Sequence, residues 1–503
     1  MFFKDCDTLY CMKKISLTFM AILVMSLSAC GQGQANIQPT ESNTPVIESA
    51  IAPTELPTAE IIPTNTQIPV NTRTRYDLTA VLDYAYEQLN VEGSVTYTNR
   101  SSAVLTDLVL VVEPNLTPGV FGLTTLTWED GSNVEGETLV RHRLTIPLRE
   151  NLEPGKSVKV NYSYLLYLPD NAGVLCMNET QVNLSGWYPY AAPYIEGSGW
   201  LVNDPGYVGE YQVYELADFA VDIRVDNAPA DFVVAASAKS TNENGWYHFS
   251  QQNVRNFTWS GSNYYHMLES YAGDIRVRAF VFLSDLDAGQ ASLEATVQAL
   301  DLYASLYGPY THDSLTIVEA GFADGMEYDG LYYLGQEYFN SYTGSPDSYL
   351  TAISAHETAH DWWYGMVAND QANDPWLDEA FCIYNELLFY EHYYPDLVDW
   401  WWTNRVNYFE PQGWVDSSIY EYSSFRIYVN AVYLRGALVF GEIRNQVGDE
   451  AFFAFMRSYF TQLHERADND HLGLATAEDF WRVLGETSDV DLSAIRTTYF
   501  LQP

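Results

Sequence analysis

The stretch Ala355-His356-Glu357-Thr358-Ala359-His360 carries the most specific chemical pattern in the chain. On an α-helix the two histidines are four positions apart, so both imidazoles leave the same face and can bind one metal ion. Glu357 lies beside that ion and can take a proton from a metal-activated water. Two surface histidines on an amphipathic helix would show the same spacing, so a metal site requires a third ligand.

A candidate for the third ligand lies in Trp376-Leu377-Asp378-Glu379-Ala380-Phe381, which opens a second predicted helix. Glu379 follows His360 by nineteen residues. A catalytic zinc site has three protein ligands and an open position for water, and imidazole and carboxylate groups are ordinary zinc ligands. His356, His360 and Glu379 together meet that requirement.

These two segments resemble the gluzincin pattern of His-Glu-x-x-His, eighteen residues and Glu, specifically that of the aminopeptidase N and leukotriene hydrolase family. The family usually has Gln, Asn and Gly at three positions where this chain has Asp361, Asp378 and Ala380. None of these differences removes a metal ligand or the base. The resemblance implies one Zn²⁺ per chain, with Glu357 as the general base.

Two further segments resemble motifs of the same family. Gly325-Met326-Glu327-Tyr328 is similar to its exopeptidase motif, in which the glutamate binds the free α-amino group of the substrate and Asn is usual in place of Tyr328. Tyr433 precedes Arg435-Gly436 as a catalytic tyrosine of the family precedes Lys-Gly, and that tyrosine donates a hydrogen bond to the oxyanion. A neutral phenol suits this task because it offers a donor where negative charge develops.

The residues around these motifs have weaker signals. We expect Tyr428 to line the same pocket as Tyr433. Glu386 follows Glu379 by seven residues on the same helical face, where it could accept a hydrogen bond from a ligand imidazole, but a solvated surface glutamate is an equal alternative. An aromatic cluster is expected to build core and cleft wall without a role in the site: Trp400, Trp401, Trp402, Tyr408, Phe409 and Trp414.

The spacing of apolar residues divides the chain into two folded regions. Residues 76–288 alternate with period two between turn residues, which predicts an N-terminal β-sandwich or saddle domain. From Ser292 the spacing is helical, with one strand-like stretch at Leu315–Glu319, which predicts a mainly helical domain at 289–503. The resemblance implies that this second domain is a thermolysin-like metallopeptidase domain. It also leads us to expect that the family's further helical C-terminal domain is absent.

The first 75 residues indicate export rather than a folded domain. Residues 1–30 contain a basic start at Met12-Lys13-Lys14 and an apolar run, as in a secretory signal peptide. Leu27-Ser28-Ala29 before Cys30 resembles the lipobox of bacterial lipoproteins, which implies a lipid anchor on Cys30 that holds the protein at the membrane outside the cytoplasm. Plain secretion with a coincidental cysteine is the alternative. Residues 31–75, rich in Pro and Thr without apolar periodicity, predict a disordered linker.

Composition excludes several classes of partner. The chain has 503 residues, of which 47% are hydrophobic, so it can build folded cores. Its net charge of −42 repels phosphate backbones, and it contains no Gly-rich phosphate loop, so we expect neither nucleic acid nor nucleotide as a partner. Cys176 and Cys382, the two cysteines after Cys30, are expected to be buried free thiols, although an exported protein could bridge them.

These observations favour a zinc-dependent aminopeptidase that removes N-terminal residues from peptide substrates outside the cytoplasm. One alternative is an endopeptidase or another metallohydrolase on the same scaffold. Another is a catalytically silent binding protein. Intact ligands, base and tyrosine argue against the silent protein, since such a protein has no reason to keep all five.

Overall fold

The structure is a computed structural model that describes residues 73–469 and 472–501. The predicted signal peptide with Cys30, and the predicted linker up to residue 72, lie outside the described residues. Within the described ranges, no helix is both long enough and apolar enough to cross a membrane. Cys176 and Cys382 are buried free thiols, as predicted.

The first half of the described chain consists of β-strands joined by turns. The strands are β1 Thr74–Asp83, β2 Gln88–Thr98, β3 Leu105–Val111, β4 Phe121–Trp128, β5 Thr138–Val140, β6 Arg143–Leu152, β7 Ser157–Tyr167, β8 Leu175–Met177, β9 Val182–Leu184, β10 Tyr190–Ala191, β11 Tyr194–Ile195, β12 Gly199–Trp200, β13 Ala217–Asp226, β14 Val233–Ala236, β15 Ser240–Glu243, β16 Trp246–Val254 and β17 Trp259–Ser262. They form a seven-stranded sheet in the order β15-β16-β13-β1-β2-β7-β4, four-stranded sheets β10-β3-β6-β5 and β14-β17-β9-β8, and the pair β11-β12.

One hydrophobic core joins these sheets. In β1 the side chains alternate between core and surface, and Leu78, Ala80 and Leu82 are buried. Leu108 of β3 and Ile146 of β6, which belong to the second sheet, lie in the same core. Because period-two alternation puts one face of each strand inward, two such faces can share a core, and the predicted β-rich N-terminal domain is confirmed.

The second half of the chain contains helices packed on a mixed sheet. Its strands are β18 Tyr265–Ala272, β19 Ile275–Phe282, β20 Ser314–Ala320, β21 Gly325–Tyr328 and β22 Leu331–Gly335, in the order β18-β19-β20-β22-β21. Its helices are α1 Leu286–Leu306, α2 Gln336–Ser341, α3 Tyr349–Ala359, α4 Trp376–Tyr393, α5 Val398–Trp400, α6 Phe425–Val429, α7 Arg435–Val447, α8 Asp449–Asn469, α9 Ala477–Thr487 and α10 Ser493–Tyr499.

Sheet membership corrects the predicted domain boundary. β19 pairs in parallel with β20, so β18 and β19 belong to the sheet of the helical half. The predicted boundary at residue 288 falls after this strand pair, whereas the change of sheet falls before Tyr265. Alternation alone could not separate the two sheets, because a strand shows the same period whichever neighbour it pairs with.

The helices α3 and α4 form the centre of the second half. Every residue of α3 from Leu350 onward is buried, as is every residue of α4 from Trp376 to Tyr390. The Ser348 side chain accepts the Thr351 N–H at 3.3 Å and caps the start of α3. Since α3 and α4 pack on each other, the end of α3 meets the first turn of α4, and the two segments singled out in the sequence come together.

Candidate metal centre

The three predicted ligands converge between α3 and α4. His356 lies in the last turn of α3, His360 is the residue directly after that helix, and Glu379 lies in the first turn of α4. The Glu379 Oε2 atom is 3.1 Å from His356 Nε2 and 3.6 Å from His360 Nε2. Ligand atoms about 2.1 Å from a tetrahedral zinc ion lie about 3.4 Å apart. The separations and the donor set of two imidazoles and one carboxylate therefore fit zinc.

Glu386 holds the first histidine in the tautomer that a metal requires. His356 Nδ1 donates to Glu386 Oε1 at 2.9 Å, which leaves Nε2 with its lone pair toward Glu379. Glu386 also accepts from Trp401 Nε1 at 3.0 Å and from Arg405 Nη2 at 2.8 Å. Burial would raise the pKa of Glu386, but Arg405 and His356 hold it below its ordinary value. Glu386 is thus buried rather than solvated, and it accepts from the His356 imidazole, as the first of the two predicted alternatives expects.

Asp378 plays the same part for the second histidine. His360 Nδ1 donates to Asp378 Oδ1 at 2.7 Å, so His360 Nε2 also faces Glu379. Asp378 and Glu379 both lie in the first turn of α4, where the positive end of the helix dipole favours carboxylates. Burial would raise the pKa of Glu379, but His360 and His356 keep it lowered.

Glu357 faces the same space with one free oxygen. It is buried, and its Oε2 atom has no hydrogen-bond partner among the described residues. A Cβ at Gly325 would lie 1.9 Å from Glu357 Oε1, so only glycine leaves room for this carboxylate. Burial raises the pKa of Glu357 well above its ordinary value. A buried carboxylate with a free oxygen beside the ligands can act as the predicted base.

Glu327 lies on β21, one of the two edge strands of the sheet, and reaches the same site. Ligand atoms of Glu327, Glu357 and His360 lie within 4.8 Å of one another. The Glu327 side chain is buried and accepts a hydrogen bond from Gln371 Nε2 at 3.1 Å. The structure thus brings the predicted amine-binding carboxylate beside the base and a metal ligand.

Tyr433 and Tyr428 close the other side of the site. The Tyr433 ring stacks on that of His356, with centroids 5.8 Å apart. Burial and the charge of Glu379 raise the pKa of Tyr433, so the phenol keeps its proton and remains a donor. Tyr428 is fully buried, lies 5.6 Å from Tyr433 between ring centroids, and has a hydroxyl without a partner in the described part of the chain.

The structure adds site residues that the sequence prediction missed. Trp401 and Arg405 hold Glu386, although Trp401 was assigned only to core and cleft wall. Gln371 bridges Glu327 and Asp378. Glu210 comes from the β-rich half, and burial together with the charge of Glu379 raises its pKa to about 8. Of these, only Trp401 belongs to the aromatic cluster noted in the sequence, and no spacing relates the others to the predicted ligands.

Comparison with known proteins agrees with this geometry. Residues 291–499 match the description "Peptidase family M1 domain". This part of the chain is therefore similar to that domain, and it contains the three predicted ligands, the predicted base, Glu327 and Tyr433. An aminopeptidase N of Lactobacillus delbrueckii subsp. lactis is 23% identical over 313 residues, which cover 57% of this chain and 36% of that protein. Endoplasmic reticulum aminopeptidase 2 of Bos taurus is 36% identical over 113 residues, 21% of this chain and 12% of that protein. The chain thus spans about a third or less of the length of these relatives.

A solved structure extends the likeness to both halves of the fold. The M1 zinc metallopeptidase from Deinococcus radiodurans superposes with a TM-score of 0.59 at 19% identity, covering 86% of this chain and 94% of that one. An E323A mutant of that protein was solved bound to Tyr-Ser-Ala and has a TM-score of 0.58, the same identity and the same coverage. At this identity the likeness concerns the fold, in which a β-rich domain precedes a mainly helical one.

Proposed function

We propose that the chain is a zinc-dependent aminopeptidase that removes the N-terminal residue of peptides. The observation that carries the proposal is the position of Glu327, whose carboxylate lies within 4.8 Å of ligand atoms of both Glu357 and His360. A buried carboxylate in this place binds a positively charged α-amino group. A peptide held there by its amine presents its first peptide bond, rather than a later one, to the metal centre.

Each residue of the site has a defined task in such a reaction. When bound by His356, His360 and Glu379, zinc supplies a Lewis acid that polarises the scissile carbonyl and lowers the pKa of the attacking water. Glu357 takes a proton from that water with its free oxygen and delivers it to the leaving amine. Tyr433 remains a neutral phenol and donates a hydrogen bond to the carbonyl oxygen as it becomes negative.

The test compares a free peptide with its N-acetylated form, each given to wild type and to Glu327→Ala. A charge-assisted hydrogen bond to the amine contributes ~1.5–3 kcal/mol, so the variant should lose roughly 10–150-fold in kcat/KM on the free peptide. The acetylated peptide should be a poor substrate for both proteins. Glu294→Ala, which removes an exposed carboxylate of α1, serves as the control and should behave as wild type.

Two other results would assign a different function. Internal cleavage of the acetylated peptide by wild type, at a rate comparable with the free peptide, would make the protein an endopeptidase. Stoichiometric zinc without hydrolysis of any member of an aminoacyl substrate panel would make it a silent binding protein.

We also propose that the protein is exported and anchored to the membrane by a lipid on Cys30. The basic start at Met12-Lys13-Lys14, the apolar run that follows and the lipobox-like Leu27-Ser28-Ala29 support this proposal. Cys30→Ser should release the protein from membranes while leaving peptidase activity intact. If that variant stays in the membrane fraction after a salt wash, the protein is not a lipoprotein.

A further inference from the structure

Gln371 lies between the two sides of the site described above. Its Nε2 atom is 3.1 Å from Glu327 Oε1 and 2.7 Å from Asp378 Oδ2. The other oxygen of Asp378 accepts from His360 Nδ1 at 2.7 Å. A continuous line of hydrogen bonds therefore runs from the amine-binding carboxylate to a metal ligand, and all four side chains are buried.

The chemistry of the two carboxylates determines how the Gln371 amide must point. Ionised carboxylates only accept hydrogen bonds, so the NH₂ group rather than the carbonyl oxygen of Gln371 must face both of them. Each of its two hydrogens then has a separate acceptor. Without this donor, Glu327 and Asp378 would each lose a hydrogen bond in a buried region where no water replaces it easily, and their negative charges would face each other.

The backbone around Gln371 is held from several directions. The Asp374 N–H donates to the Asp370 carbonyl at 2.8 Å, and the Ile419 N–H donates to the Ala372 carbonyl at 2.9 Å. Asn203, from the β-rich half, donates to Asp370 Oδ1 at 2.8 Å. A side chain on such a backbone has a defined position, so its amide can fix the orientation of a partner.

We propose that Gln371 is a positioning residue for substrate recognition: by binding one oxygen of Glu327, it directs the other oxygen to the α-ammonium group of the peptide. This inference rests on the proposed aminopeptidase function and assigns to Gln371 the alignment of its amine site. Gln371 itself contacts neither the metal nor the scissile bond. Its loss should therefore weaken recognition of the amine while the metal ligands remain in place.

The test uses binding of two inhibitors that share one metal-binding group, leucine hydroxamate and N-acetyl-leucine hydroxamate. Wild type should prefer the free amine. Gln371→Leu, which removes the donor, should reduce that preference by about 10–100-fold, the usual range for residues that orient a site. Gln371→Asn keeps the amide but shortens its reach, and should behave like Gln371→Leu. Gln336→Leu is the matched control, because Gln336 donates to another carboxylate, Glu319, at 3.2 Å.

A second comparison shows whether Gln371 acts through Glu327. In the Glu327→Ala background the preference for the free amine should already be lost, so adding Gln371→Leu should not change it further. Zinc content is measured for every variant, and Gln371→Asn carries the test if Gln371→Leu does not hold zinc.

Three results would overturn the inference. The first is an unchanged preference in both Gln371 variants while Glu327→Ala loses it, which leaves the proposed function standing. The second is a loss of amine preference when Gln371→Leu is added to Glu327→Ala that is as large as the loss Gln371→Leu causes in wild type. The third is a wild type without preference for the free amine, which refutes the proposed function as well.

Discussion

Replacing Arg405 with Met would leave the carboxylate of Glu386 buried without its countercharge. Arg405 donates from Nε at 2.9 Å and from Nη2 at 2.8 Å to the two oxygens of Glu386, which is fully buried. Removing one partner of a buried ion pair costs ~3–5 kcal/mol of unfolding free energy. We expect a loss of about 3 kcal/mol, at the lower end of this range, because Trp401 and His356 still donate to Glu386.

The same substitution should weaken zinc binding. Without the charge of Arg405, burial favours the protonated form of Glu386. A protonated carboxyl accepts less strongly from His356 Nδ1 and orients the imidazole less well. Changes of this kind typically reduce metal affinity by 10–100-fold. The double variant Arg405→Met/Glu386→Gln removes the unpaired charge and should recover most of the stability but not the zinc affinity.

The assays are urea unfolding of zinc-free protein and competition for zinc with a chromophoric chelator. Arg426→Met is the control, since the exposed Arg426 lies 4.3 Å from the centroid of the Phe409 ring without touching the metal centre. Its loss should cost no more than ~1 kcal/mol and leave zinc affinity unchanged. If Arg405→Met behaves like this control in both assays, Arg405 does not sustain the metal centre through Glu386.

Three further predictions concern the base, the space around it and the acid stability of the helical half. Glu357→Gln should retain zinc by elemental analysis but lose ~10²–10⁴-fold in kcat, and turnover close to wild type would contradict its role as the base. Gly325→Ala should lower kcat ~100-fold with little change in the urea midpoint, because the new Cβ displaces Glu357. Gly485→Ala, where a Cβ has open space, is the control, and equal kcat in the two variants would contradict the prediction. Asp479→Asn should lower stability by ~1–3 kcal/mol at pH 7, because Asp479 caps α9 and pairs with Arg466 at 2.9 Å. Burial would raise the pKa of Asp479, but Arg466 lowers it. The stabilisation by the ionised Asp479 is therefore present above the ordinary pKa of ~4 and is lost as the pH falls below that value. A difference from wild type that persists at the lowest pH, or one matched by the exposed Glu478→Gln, would contradict this explanation.

The sequence alone was sufficient to predict the three side chains that meet between α3 and α4 and the glutamate beside them. His356 and His360 share a face because of helix geometry, which depends on spacing and not on the rest of the fold. Glu379 could be assigned because a second, equally local motif surrounds it. The helical stretch from Ser292 and the strand at Leu315–Glu319 were likewise predictable, since apolar periodicity reflects which face of one element is buried.

Only the tertiary structure could decide which residues support those ligands and where the β-rich half ends. Arg405, Gln371 and Glu210 come from three separate segments and meet the site through packing, so no spacing in the chain relates them to His356 or Glu379. The strands β18 and β19 show the same alternation as those before them. The pairing of β18 with β19 and of β19 with β20 assigns both to the sheet of the helical half. Local patterns encode which face of an element is apolar, whereas the partner of that element depends on how distant parts of the chain pack together.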